Sequence, residues 1–445
     1  VTRDWKVALW LLAGVYLFSG LSPVGTSFDS RWTVHIAMSL WQHGDTNLDE
    51  YSQRIRESDY YGVECVSPDG GARHGEPETC DGHWYNSYPA GGPILTAPLV
   101  IAAVGVMKLL HPLISHFHSG HPVIAGFLRA DYDAAHPLIE MEVASLLLAM
   151  ATVVIYFIAR RYLSEKRAIL LALLYALATP AYSVGGRGIW QHSPSMLLLA
   201  ITILMLLRAE EKPSLAAWAG LPVALSYTVR PTDALFVIVF TAYVAMRHRK
   251  YLFGYLLAAL PVAAIFVAYN ESIYHSLLSP YYHSRLDGFY PANWREFGVG
   301  LAGNLISPSR GLFVYTPVFL FSVWSMTRGL WQSPLKIWLS VLAAAHWIAV
   351  SSFVACWWAG MCYGPRFFSD LTPVFVLFLI PFLSRWESIS RVARVAFVAC
   401  ALIGLAMHLR AGWSTAVYEW NVKPASVDQH PERNWDWRDP AFLRW

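Results

Sequence analysis

Charge is what this sequence most lacks. Only 14% of its 445 residues are Asp, Glu, Lys or Arg, while 56% are hydrophobic. That is too little charge to cover the surface of a soluble protein of this length. No basic block stands anywhere, and the net charge is a mere +3, so nothing points to a nucleic-acid partner. Cysteine is scarce at five residues, and no internal repeat is evident. What fills the chain instead are apolar runs of about 17–22 residues, the length that crosses a hydrocarbon core, together with 20 tryptophans. The composition describes an all-α polytopic membrane protein.

The basic residues give the expected topology. Apolar spans are read near 5–24, 139–159, 168–183, 194–207, 214–229, 232–246, 251–269, 312–327, 335–353, 369–384 and 393–410. Arg160, Arg161, Lys166 and Arg167 fill one gap between them, and Arg208 with Lys212 the next basic one. Arg247, Arg249 and Lys250 follow, then Arg385, Arg391 and Arg394. Placing these on the cytoplasmic side leaves the N-terminus inside, the C-terminal tail outside, and about eleven transmembrane helices. A crossing by the apolar stretch 94–110 would invert every later helix. It is therefore read as an outer juxtamembrane or re-entrant helix packed on protein, entered through the turn Tyr88-Pro89-Ala90-Gly91-Gly92-Pro93. Four regions result: a first span over 1–24, retained rather than cleaved as a signal; an outer loop over 25–138; a bundle over 139–411; and a Trp-rich outer tail over 412–445.

Cys65 and Cys80 flank a turn-rich stretch of the first outer loop. A disulfide between them suits an oxidising periplasm and a loop poor in core. Cys356 and Cys362 share a later outer loop and form a second possible pair. The histidines at 111, 116, 118, 121 and 136 have irregular spacing without a Cys or carboxylate cage, so an interfacial loop is preferred there to a divalent-metal site.

Five polar constellations fall on the outer face. Asp29 follows the first span. Its carboxylate can take a proton from an incoming hydroxyl, or it can cap the amphipathic run containing Trp32, Ile36 and Leu40. His192, in Trp190-Gln191-His192-Ser193-Pro194, can bind phosphate, orient a sugar hydroxyl or ligate a metal, or can simply precede a Pro-started helix. With His43 and His83 it makes three outer histidines, and a substrate-binding role is favoured. Arg230 and Asp233 sit at another helix junction, either as a structural pair or as substrate ligands. Arg310 and Arg366 each stand just before a helix start with Gly and Ser beside them. Guanidinium forks match phosphate geometry, and helix starts add backbone donors; snorkelling at the membrane edge is the plainer alternative. The tryptophans at 413, 420, 435, 437 and 445 can stack on sugars or line the headgroup layer, which is preferred.

The order of these features resembles a known family. An acidic residue follows the first span, and a long outer loop ends in the Tyr88-Pro89 entry. A basic turn, Arg160-Arg161-Tyr162-Leu163, comes next, and Tyr363-Gly364-Pro365-Arg366-Phe367 precedes the last spans. The layout is similar to the GT-C glycosyltransferases, in particular bacterial proteins resembling protein O-mannosyltransferases and lipid A aminoarabinose transferase. The resemblance implies a metal-light, inverting transfer of a sugar from a polyprenyl-phosphate carrier to a hydroxyl acceptor, at the periplasmic face of a bacterial inner membrane, with no organic cofactor and a divalent metal as an option. It implies Asp29 as the base that deprotonates the acceptor. Arg366 and Arg310 would match residues that hold the donor phosphate, with Tyr363 beside them in the late motif, while His192, His83, Arg230 and Asp233 are expected to bind substrate from their outer-face positions. One departure stands out: where many relatives carry a second acidic residue in the next outer loop, this chain has Arg187, Gln191 and His192. The alternatives are a transporter or flippase of a lipid-linked saccharide, and a polymerase or ligase using diphosphate-linked glycans.

Overall fold

In the computed structural model the described residues are 3–26, 28–73, 80–287, 294–353 and 356–444. Helix α1 (Arg3–Gly20) buries Ala8, Leu11 and Val15, a spacing that lines up one helical face. That face packs along the 29-residue helix Tyr132–Arg160, which also meets the Glu165–Leu177 and His192–Ala209 helices. Polar bonds pin both ends of the contact. Arg160 Nε and the Tyr156 hydroxyl donate to Asp4 Oδ1 at 2.9 and 3.0 Å. At the other end, Ser145 Oγ donates to Ser19 Oγ at 2.9 Å. The two helices are therefore antiparallel, and the first turns of Tyr132–Arg160 project past the end of α1 towards Asp29.

Those projecting turns carry the first loop. Helix α2 (Thr33–Gln42) is buried along most of its length, and Asp133 draws in His35 Nε2 at 2.7 Å and Arg54 Nη1 at 2.9 Å. Beside them lies a small antiparallel sheet of β1 (Val63–Val66), β2 (Ala72–Arg73) and β3 (His83–Asn86), in the order β2-β1-β3. Cys65 and Cys80 are joined in a disulfide, whereas Cys362 is a buried thiol not joined to Cys356. The sheet is a departure from the all-helical expectation. Val63 and Val66 opposite Asn86 and His83, with Trp84 facing Cys65, are β-branched and aromatic pairs that suit a half-buried strand.

The helix Gly91–Ile114 is 24 residues long and apolar enough to cross a bilayer, yet only a third of its most apolar window is buried. Its entry glycine is sterically required, since a Cβ on Gly91 would lie 2.2 Å from the Thr228 carbonyl oxygen. Near its far end, His111 Nδ1 bonds the Leu128 carbonyl at 2.9 Å, and the Pro122–Leu128 helix packs on the start of Tyr132–Arg160. Both ends of Gly91–Ile114 are thus tied to elements at the Asp29 end of the bundle.

Among the described residues, six helices are long and apolar enough to span, by length and composition; five of them match expected spans and the sixth is Gly91–Ile114. Two of the unmatched spans are broken locally. The expected span 168–183 stops at Leu177 and turns through Pro180 into a π turn, Ala181–Gly185. The span 312–327 splits around Pro317 into Leu312–Tyr315 and Phe319–Thr327, because proline removes a helix donor and clashes with the preceding turn.

The tryptophan tail also differs from the expected headgroup belt. Trp420 is buried with Tyr315, Trp357, Trp358 and Tyr363, and the Trp435 ring packs at a tilt against Trp357, centroids 5.9 Å apart. Trp413 and Trp437 are exposed, and Trp445 lies outside the described residues.

Candidate active site

The turn that carries Asp29 is stapled from below. Arg187 is fully buried, and it donates to the Ser19 carbonyl at 2.9 Å and to that of Val24 at 3.2 Å. The Ser19 and Ser22 hydroxyls accept from it as well. In return, Thr26 N–H donates to the Arg187 carbonyl at 2.7 Å. Gly188 follows because a Cβ there would stand 2.1 Å from the Thr26 carbonyl oxygen. Arg187 therefore serves the carbonyl end of α1, where orphan acceptors and the helix dipole favour a cation.

Above this staple opens a cavity of about 610 Å³, whose walls include Asp29, Tyr61, Tyr88, Arg230, Tyr281 and Arg366. Asp29 Oδ1 accepts from the Tyr61 and Tyr88 hydroxyls, both at 3.0 Å, and Oδ2 accepts from Arg366 Nη2. Burial pushes the Asp29 carboxyl up, but the Arg366 charge and the two phenols outweigh it and hold the group below the usual carboxylate range. The phenols respond in the opposite sense. Burial and the neighbouring carboxylate push Tyr61 up to about 12 and Tyr88 higher still, so both stay protonated donors. The capping alternative for Asp29 fails: α2 begins after Trp32, and no side chain caps it.

Arg366 opens a 3₁₀ turn, Arg366–Leu371. Its guanidinium lies over the Trp190 ring at 4.1 Å, a cation–π contact that fixes its plane. Nε donates to His192 Nε2 at 3.3 Å, and Nη1 reaches the Ala359 carbonyl at 3.4 Å. An arginine only donates, so His192 Nε2 must accept and the ring proton sits on Nδ1. That nitrogen faces Asp370 Oδ1 at 3.1 Å. The other oxygen, Oδ2, stands 2.5 Å from Arg230 Nε, a close ion pair whose angle falls outside hydrogen-bond geometry. Asp233 Oδ2 accepts from Ser195 Oγ at 2.6 Å. His192, Asp233 and Asp370 are all buried.

The structure thus brings Asp29, Arg366 and Arg230 to one cavity, with His192 bonded behind Arg366. It does not bring Arg310, Tyr363 or His83 there. Arg310 is buried, and its guanidinium donates to the carbonyls of Ser309, Trp358 and Gly360 and to Asn421 Oδ1 at 2.7–3.1 Å, over the Trp420 ring. With every arm engaged by the protein, it is a clasp between the 356–366 loop and the tail. Tyr363 is buried with its hydroxyl on the Met407 carbonyl at 2.8 Å. His83 sits on β3, bonded to Asp49 at 2.6 Å.

Sequence reading missed four contributors. Tyr61 and Tyr88 meet Asp29 from sequence distances of 32 and 59 residues, and neither carries a local signal of that meeting. Asp370 had one: it stands four residues past Arg366, one turn along the same motif. Asp428, from the tail, also lines the cavity while accepting from Trp358 Nε1 at 2.8 Å. A second carboxylate therefore reaches the site from the tail and not from the loop that holds His192.

Residues 141–270 match the family model for dolichyl-phosphate-mannose-protein mannosyltransferases. The resemblance to GT-C glycosyltransferases is upheld. The matched segment runs from within Tyr132–Arg160 into the Leu252–Tyr274 helix and so contains His192, Arg230 and Asp233 but neither Asp29 nor Arg366. Among solved structures, the chain is similar to the apo oligosaccharyltransferase of Archaeoglobus fulgidus, at 12% identity and a TM-score of 0.46. That alignment covers 98% of this chain but 60% of the other, so this chain spans well under two thirds of that protein's length. No curated protein matches the sequence.

Proposed function

We propose that the protein is an inverting glycosyltransferase that moves a sugar from a polyprenyl-phosphate carrier to a hydroxyl acceptor. One observation carries the reading: a carboxylate and two guanidiniums, Asp29 with Arg366 and Arg230, converge on a single cavity. Asp29 is the counter-ion of Arg366, as Asp370 is of Arg230. An arriving phosphate therefore takes Arg366 by displacing Asp29, since two anions compete for one guanidinium fork. Losing that cation raises the basicity of Asp29 at the moment an acceptor needs it.

The acceptor hydroxyl then gives its proton to Asp29, and its oxygen attacks the anomeric carbon. The bond from that carbon to the phosphate oxygen breaks with its electron pair leaving on the phosphate. Arg366 and Arg230 stabilise the charge that develops there, and one displacement inverts the anomeric centre. The proton on Asp29 passes to solvent.

In this reading the chain crosses a bacterial inner membrane with about eleven spans and its N-terminus inside, which puts the basic gaps in the cytoplasm. Asp29 then faces the periplasm, where an oxidising medium suits the Cys65–Cys80 disulfide. The first outer loop, 25–138, and the tail, 412–445, form the roof over the bundle.

The test is sugar transfer by the reconstituted protein across synthetic polyprenyl-phosphate monosaccharides. Asp29→Asn is expected to lower turnover by about a hundredfold to ten-thousandfold in a protein that still folds. Arg366→Ala is expected to raise the KM for donor. Full activity of a folded Asp29→Asn protein would reject the assignment. Donor binding followed by movement across the bilayer without transfer would favour a flippase, and turnover of diphosphate-linked donors alone would favour a polymerase or ligase.

A further inference from the structure

We infer that Asp370 is the positioning residue that sets both cavity arginines, one directly and one through His192. The inference rests on the proposed phosphate clamp and adds what holds it in place. Arg366 and Arg230 enter the cavity from separate parts of the chain, and neither helix can fix a long, flexible guanidinium by itself. Behind them lies Asp370, a fully buried carboxylate that does not line the cavity. Its Oδ2 stands 2.5 Å from Arg230 Nε. Its Oδ1 lies 3.1 Å from His192 Nδ1, and the far nitrogen of that ring receives Arg366 Nε at 3.3 Å.

Each oxygen of Asp370 thus addresses a different arginine. The histidine is used as a rigid spacer, because the carboxylate takes the Nδ1 proton and leaves Nε2 as the acceptor. Both contacts use the Nε edge of the guanidinium. Arg366 Nη2 is thereby turned to Asp29, and Arg230 keeps its terminal nitrogens for a ligand. Trp190 closes one face of Arg366 at 4.1 Å, and the arginine's Nη edge, which meets Asp29 and the Ala359 carbonyl, is the side that lines the cavity. A buried carboxylate in this position is costly unless it is paired, and its two partners are the residues that aim the clamp.

The experiment titrates farnesyl phosphate, which carries the leaving group without a sugar, into the detergent-solubilised full chain by calorimetry. Farnesol serves as the matched lipid without phosphate. Asp370→Asn is expected to weaken farnesyl phosphate binding by about tenfold or more, the loss expected for misaligned charge-assisted bonds, with farnesol binding unchanged. A merely structural role would weaken both lipids together. His192→Phe keeps a ring in place but cuts only the Arg366 arm, so it should give a smaller loss confined to the phosphate, and it carries the test if Asp370→Asn does not fold. Wild-type affinity for farnesyl phosphate in either folded variant, or equal losses for both lipids, overturns the inference while leaving the clamp intact. Failure of the wild-type protein to prefer farnesyl phosphate over farnesol would overturn the clamp itself, and the inference with it.

Discussion

Asp29 is held by three donors of unequal strength, and their separate removal gives distinguishable results. As a base it works ionised, so the acid limb of its pH–rate profile reports its pKa. Because Arg366 and the phenols hold that pKa below the usual carboxylate range, the limb in wild type lies below it as well. Tyr88→Phe removes one donor and lets burial count for more. The limb of kcat/KM should therefore move to higher pH, while activity near neutrality changes little. A limb that stays in place or moves down would show that Tyr88 does not tune Asp29. At this scale the sequence was readable where a residue advertised itself by position. Asp29 stands at the end of a span, and Arg366 lies in a Gly-Pro turn. The tyrosines were not readable, since a hydroxyl 59 residues away leaves no periodic or motif trace.

Elements position these side chains, and their behaviour was legible to the extent that it followed hydrophobic run length. Long runs such as 139–159 became one helix. The runs holding Pro180 and Pro317 were broken there, because hydropathy averages over a residue that removes a backbone donor, whereas the run around Pro261 stayed one helix. The short strands escaped a reading based on apolar length because they hold four residues or fewer. Their stability leans on the Cys65–Cys80 closure of a 15-residue separation, worth about 3 kcal/mol in the chain-entropy account. Cys65→Ser should therefore speed amide hydrogen exchange in β1 and β3, with the Tyr132–Arg160 helix unaffected. A second element-level prediction concerns Gly188. Gly188→Ala drives a methyl into the Thr26 carbonyl, so the Asp29 turn must shift, and a loss of turnover larger than the loss of donor affinity is expected from transfer kinetics.

Across the whole molecule, the site is a closure between chain ends. Asp29 and Arg366 are 337 residues apart in sequence, and both lie outside the stretch matched by the family model. Only the complete bundle can bring them together. The tail takes part, since Arg310 ties Asn421 to the 356–366 loop and Asp428 reaches the cavity wall. Arg310→Ala would leave several buried acceptors unsatisfied. The expected cost is on the order of 3 kcal/mol, seen as a lower melting temperature, with donor affinity of the folded fraction near wild type. Arg366→Ala should do the reverse, so melting curves and donor titrations of the two variants separate clasp from clamp. From sequence alone the two arginines looked alike, because each precedes a helix beside Gly and Ser; only burial and partners tell them apart.

The mutual engagement of Asp29 and Arg366 also bears on how the cavity would be blocked. A simple amine or a simple phosphonate can satisfy one member of the pair only by stranding the other in a partly buried wall, where an uncompensated charge is costly. A zwitterion could wedge between them and replace both partners at once. Short aminophosphonates should accordingly compete with farnesyl phosphate more strongly than the matched amine and phosphonate mixed together. Equal competition by the mixture would show that the pair opens without penalty.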